Sequence, residues 1–244
     1  YYSILFSVRE DSNDEHFFQL KEILALENPK IAQIELREIY LAAINFCARK
    51  IRNGQTAYLA EALQLYRRGI EDQILVENGI LSPWTFTNVV KLALRLEQYD
   101  CIEHFIKKYS QNLPESFRKN ALNYNLAELY YYSKDYSQAK DYLNLVKYSD
   151  LNYYLGSSVM LIKIYYELNE EQLLLSQLAS FTMFLKRNKE ISSHLKKTYL
   201  NFCNLLFVIL KQNPKQLLQL DEKIEQTSPL TDKEWLLTQL ALVR

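Results

Sequence analysis

Glycine is nearly missing from this 244-residue chain: there are 4, at Gly54, Gly69, Gly79 and Gly156. Proline is scarce too, with 5. So little turn chemistry excludes a many-stranded sheet and suits long helices with short connections. The same shortage excludes a glycine-rich phosphate-binding loop. No apolar run approaches the roughly 20 residues that span a bilayer, the longest candidate being Leu205–Leu210, so no membrane partner is expected. Net charge is missing as well, since 29 basic side chains balance 29 acidic ones. That balance disfavours a general nucleic-acid binder, whose affinity comes mostly from phosphate contacts. The 3 cysteines, Cys47, Cys101 and Cys203, are widely spaced within helical patterns. They read as reduced, buried thiols of a cytoplasmic protein. No signal-peptide layout opens the chain. Tyr2–Phe6 reads as the middle of an apolar helix face, which predicts a fragment of a longer protein, cut inside or just before a repeat.

Aromatics are plentiful instead: 19 tyrosines and 11 phenylalanines, explained best as filling between stacked helices. Apolar spacing predicts a helix over 14–25, through Phe17, Leu20 and Leu24. Pro29 opens the next, which runs to about Arg52 and stops at Asn53-Gly54. A partner helix covers Thr56–Leu75, and Asn78-Gly79 breaks the chain again. Ser82-Pro83 starts a helix, with Ser as N-cap and Pro in the first turn. Paired helices follow at 84–96 with 99–109, 116–132 with 136–147, and 152–168 with 171–187. A long helix over 192–210 ends before Asn213-Pro214. Two shorter ones, 214–226 and 231–242, close the chain, the second capped by Thr231 with Glu234 three residues on. No segment reads as strand.

The pairs repeat. Small or apolar residues that follow the turns, Ala62, Ile102, Ala139 and Leu174, lie 40, 37 and 35 residues apart. In the first helices, Asn45, Asn88, Asn125 and Asn201 each precede two core-type residues, and Met160-Leu161-Ile162 fills that slot between. The stretch 121–148 is the clearest copy, two amphipathic helices turning at Ser133–Asp135 with Ala127 and Ala139 at the close approach. Its Leu126-Ala127, Tyr130, Ala139 and Leu143 match the Leu-Gly, Tyr, Ala and Phe positions of a tetratricopeptide repeat, which the segment resembles. Asn123 and Leu151 depart from the signature, standing where a large residue and a closing Pro belong. The whole chain also resembles the C-terminal part of bacterial tetratricopeptide-like proteins, which adds no activity. The resemblance implies an all-α superhelix of about six helical hairpins over 1–244. Its best repeats are 83–119, 120–153 and 154–188, with degenerate ends at 1–82 and 189–244. Such hairpins cannot cover their own apolar faces and stack on neighbours; uncapped ends then favour self-association or contact with whatever precedes Tyr1.

By the same resemblance, first helices line a concave groove. The groove positions are Asn45, Arg52, Asn88, Lys91, Arg95, Asn125, Glu128, Tyr132, Lys163 and Glu167. An amide both donates and accepts, and a guanidinium matches a carboxylate with two hydrogen bonds. Arg52, Lys91 and Arg95 would form a basic end for an acidic or C-terminal segment of a partner protein. The plainer reading is that each Asn bonds a neighbouring helix and each charge is solvated. The tyrosines Tyr130, Tyr131, Tyr132, Tyr136 and Tyr142 invite base stacking. Core packing of Tyr130, with one of the others lining a groove, fits them better. Trp84 and Trp235 each begin a helix and read as packing anchors.

Cys101 and His104 supply half of a metal site with no second pair. No flanked serine or Cys–His–Asp set marks a nucleophile, so no cofactor and no catalysis are expected. The basic stretch Lys186–Lys189 with Lys196-Lys197 reads as a solvated helix end, or as a contact for an acidic partner or an RNA backbone. The expected role is a protein-interaction scaffold. The alternatives are an RNA-contacting repeat protein, or an accessory domain of an enzyme whose catalytic part lies before Tyr1.

Overall fold

Four helices begin where a side chain supplies a bond the backbone lacks. A computed structural model of the chain describes residues 2–10, 13–25, 31–147, 151–211 and 217–243. Asn13 Oδ1 accepts from the Glu15 amide at 3.0 Å to open α2 (Asp14–Ala25), which follows α1 (Tyr2–Glu10). Glu35 reaches back to the Ala32 amide at 3.3 Å to open α3 (Gln33–Arg52). Asp135 accepts from the Gln138 amide at 3.1 Å, and Ser192 from the Leu195 amide at 3.2 Å. These open α8 (Tyr136–Asn144) and α11 (Ser193–Leu210). Each bond satisfies an amide that the first helical turn leaves without a partner. The remaining helices are α4 (Tyr58–Glu71), α5 (Pro83–Arg95), α6 (Tyr99–Tyr109), α7 (Glu115–Tyr132), α9 (Leu151–Glu167), α10 (Glu171–Arg187), α12 (Leu220–Gln226) and α13 (Lys233–Val243). The described residues are therefore overwhelmingly α-helical, and none of their helices is long and apolar enough to cross a membrane.

Four hairpins turn in one way. Gly54, Glu97, Lys134 and Asn169 each adopt a left-handed backbone, with φ of 83°, 56°, 66° and 56°. The following amides, of Gln55, Gln98, Asp135 and Glu170, reach back to the carbonyls of Lys50, Ala93, Tyr130 and Tyr165 at 2.9–3.0 Å. This is the six-to-one bond that closes a helix around a left-handed residue. Glu97, Lys134 and Asn169 are 37 and 35 residues apart, the same intervals as Ile102, Ala139 and Leu174. The aligned positions Ala62, Ile102, Ala139 and Leu174 are all buried. So are the two residues after each repeated Asn: Phe46 and Cys47, Val89 and Val90, Leu126 and Ala127, Phe202 and Cys203.

The chain divides into two compact units, Tyr1–Ser157 and Ser158–Arg244. In the first, α1 packs on α2 and α3, α3 on α4, α4 on α5, α5 on α6 and α7, and α7 on α8. Aromatic rings fill the interior, as the composition predicts: Phe17 and Phe46 stack at 4.9 Å with Tyr58 edge-on to both. Gly69 is required by close approach, because a Cβ there would lie 2.7 Å from Leu75 Cδ1. In the second unit α10 packs on α11, and α11 and α12 on α13. Phe202 and Tyr166 meet the Trp235 ring at its centre.

Several expectations are corrected. The helix expected to Leu75 ends at Glu71, because Gln73 turns left-handed and the Ile74 and Leu75 amides return to the Gly69 carbonyl at 2.8 Å. The Asn78-Gly79 break is a small antiparallel hairpin, β1 (Val76–Glu77) with β2 (Ile80–Leu81). Asn78 and Gly79 both take positive φ, the turn whose twist suits a two-residue connection. Ser82 stands at the N-cap position before Pro83, but its hydroxyl makes no capping bond. Asp232, not Thr231, directly precedes α13, and the Thr231 hydroxyl donates to the Asp232 carboxylate at 2.7 Å. Tyr131 is buried more deeply than Tyr130, which stacks on Tyr142 at 5.5 Å and donates to Glu103 at 3.1 Å. Cys101 is exposed, unlike Cys47 and Cys203. Pro29, the Asn213-Pro214 stop and the start at 214 lie outside the described residues.

Candidate partner-binding surface

Helix α5 presents two opposite faces. Phe86, Val89, Val90, Ala93 and Leu94 point inward and are buried. Trp84, Asn88, Lys91 and Arg95 follow at i, i+4, i+7 and i+11, one continuous stripe on the other side. All four are exposed, Trp84 to 79%. Trp84 is therefore not the packing anchor expected from its place at a helix start. Its position directly after Pro83, in register with three polar residues rather than with Phe86 and Val90, carried the signal. Asn88 Nδ2 donates to the Tyr66 hydroxyl at 2.9 Å, which pins α5 to α4. Burial raises the Tyr66 phenol above its ordinary range, so it stays protonated at neutral pH. Lys91 and Arg95 make no ion pair among the described residues. Neighbouring cations of the same unit do: Arg37 with Glu77, Lys107 with Glu103, and Lys21 with Glu61.

The other expected groove residues divide by place. Asn45 and Arg52 are exposed on α3, and Arg52 closes that helix before the Gly54 turn. Tyr132 ends α7, 43% exposed and edge-on to Tyr131 at 5.6 Å. Asn125 and Glu128 are inside. Asn125 Nδ2 donates to the Ala121 carbonyl of its own helix at 2.7 Å, while its Oδ1 has no hydrogen-bond partner among the described residues. Lys163 and Glu167 belong to the second unit and meet there around Trp235. Lys163 Nζ pairs with Asp232 at 2.8 Å and lies 5.7 Å from the indole centre, and Glu167 accepts the indole N–H at 2.8 Å.

The thiols of Cys47 and Cys203 are pushed up by burial, to about 12 and about 11, so neither is a thiolate at neutral pH. Cys101 and His104 stand exposed one turn apart, and no three His, Cys, Asp or Glu side chains gather to hold a metal among the described residues. Compared with known proteins, the chain matches no family model, no curated protein and no solved structure.

Proposed function

We propose that this chain is a non-catalytic scaffold, a tetratricopeptide-like superhelix of about six hairpins that holds an acidic segment of a partner protein. The observation that carries the reading is the α5 stripe: an exposed indole on one face with two exposed cations that make no ion pair among the described residues. Trp and Arg are the side chains that concentrate binding energy at protein interfaces. A solvated indole exposes apolar surface that a partner segment would cover. The repeated left-handed turns at 37 and 35 residues support the repeat architecture. Contacts of α1 with α3 and of α5 with α7 support it too, because first helices of neighbouring hairpins touch in such a stack.

The partner segment lies along α5, its apolar side chain against Trp84 and its carboxylates, or its free C-terminus, against Lys91 and Arg95. Arg52 and Asn45 on α3 extend the same polar character. The test is a display library of short peptides rich in Asp and Glu with a free C-terminus. Selected peptides are expected to lose at least tenfold in affinity for the Lys91→Glu/Arg95→Glu chain and for Trp84→Ala, with helix content unchanged by circular dichroism. Equal affinity for all three chains sinks the reading.

A further inference from the structure

The hairpin α10–α11 carries a second set of features that the α5 surface does not use. Between the two helices runs an open groove of about 380 Å³. Leu175, Leu178, Thr182 and Lys186 of α10 line it at i, i+3, i+7 and i+11, with Phe207 of α11 across from them. Eleven residues of helix are about 16 Å long, or three turns. The rim side chains are apolar and open to solvent: Leu175 at 41%, Met183 at 46% and Phe207 at 46%. Leu178 and Cys203, both in the lining, are buried. The groove is therefore a concave apolar strip.

Charge says what covers it. Over residues 171–211, the whole of the hairpin, the chain holds Lys186, Arg187, Lys189, Lys196, Lys197 and Lys211 against two acids, Glu171 and Glu190. This is a local basic excess in a molecule whose total charge is zero. None of the six cations makes an ion pair among the described residues. They stand at the two ends of the strip. Five sit in the turn between the helices and the helical turns flanking it, a turn held by Asn188 Oδ1 accepting the Glu190 and Ile191 amides at 2.8 and 3.2 Å. The sixth, Lys211, lies 4.7 Å from the Phe207 ring centre at the far end. The pairs Phe181–Tyr199 and Thr182–Cys203 fix this antiparallel order.

We infer that the α10–α11 groove is a second docking site, for an acidic amphipathic helix of a protein partner. Apolar side chains at i, i+4 and i+7 of the guest fill the strip, as in other helix-in-groove recognition, and Met183 adapts to their shape. Carboxylates at its two ends meet the lysines. A nucleic acid fits less well, because stacking needs a row of rings and the strip offers Phe207 alone. A membrane surface fits less well, because the apolar groups form a hollow rather than a projecting ridge. The inference does not depend on the α5 reading.

The probe is a display library of helix-forming peptides with randomised apolar and charged positions, selected against the full chain. Expected winners carry three apolar residues on one face and acids at both ends. Their affinity should fall at least tenfold with Phe207→Glu, and with Met183→Glu should the first variant unfold. Lys186→Glu/Lys197→Glu should weaken them severalfold and flatten their salt dependence, while Lys91→Glu/Arg95→Glu leaves them unchanged. No enriched sequence, basic winners, or winners indifferent to these groove substitutions overturn the inference. So does tighter binding of vesicles containing phosphatidylserine, or of an oligouridine strand, than of any selected peptide.

Discussion

Lys50 shows how much one buried charge asks of its surroundings. It is 6% exposed, sits 5.2 Å from the Phe46 ring centre and 5.6 Å from that of Tyr58, and pairs with Asp14 at the start of α2. A buried ammonium without a carboxylate is costly. Lys50 and the Tyr58 hydroxyl, both bonded to Asp14, hold its carboxyl below the usual range. A carboxyl lowered by folding stabilises at pH values above the ordinary carboxylate range, near 4, and that contribution fades as pH falls toward the lowered value. Asp14→Asn is therefore expected to reduce the urea midpoint at pH 7, with the gap to the parent chain closing below about pH 4. A gap that stays constant with pH would assign the loss to packing instead. None of this was legible in the sequence, whose local pattern gives neither Asp14 nor Lys50 a partner. The partners lie 36 residues apart, and only the fold brings them together.

At the scale of the element, helices were legible and their ends were less so. Bounds at α6 and α10 agree with the apolar spacing because a turn of three residues precedes each. Three of the four matching turns were placed by the apolar spacing but their conformation was not, since Glu97, Lys134 and Asn169 hold a left-handed backbone without being glycine. That conformation costs a side chain about 1–2 kcal/mol. Glu97→Gly is accordingly expected to stabilise the chain by about 1 kcal/mol, and Gly54→Ala to destabilise it by a similar amount. Urea titrations of the two variants check this, and an unstable Glu97→Gly would mean that the Glu97 side chain contributes a contact. The β1–β2 hairpin was missed although Asn78-Gly79 is its signature, because two-residue strands carry no alternation to read. Trp84 was misread for a related reason. An indole at a helix start belongs to whichever face the rest of the helix assigns it, and the buried face of α5 runs through Phe86 and Val90.

For the whole molecule, the two proposed docking surfaces rest on the same logic: exposed apolar side chains beside cations that make no ion pair among the described residues, in a chain of zero total charge. Of the expected groove residues, those on α3 and α5 are exposed, whereas Asn125, Glu128, Lys163 and Glu167 are tied into packing or into the Trp235 cluster. Repeat position alone could not separate the two groups. Whether a first-helix polar residue faces a partner or a neighbour depends on how far each helix rotates in its stack, and on long-range contacts such as Lys163 with Asp232. The chain has 2 tryptophans, so Trp235→Phe isolates the emission of Trp84. Acrylamide quenching of that single indole, with and without a selected acidic peptide, is the decisive measurement. Open quenching of the free chain that drops sharply on saturation with peptide is expected. An indole already shielded in the free chain, or one just as open once the peptide has bound, would contradict a partner seated on α5.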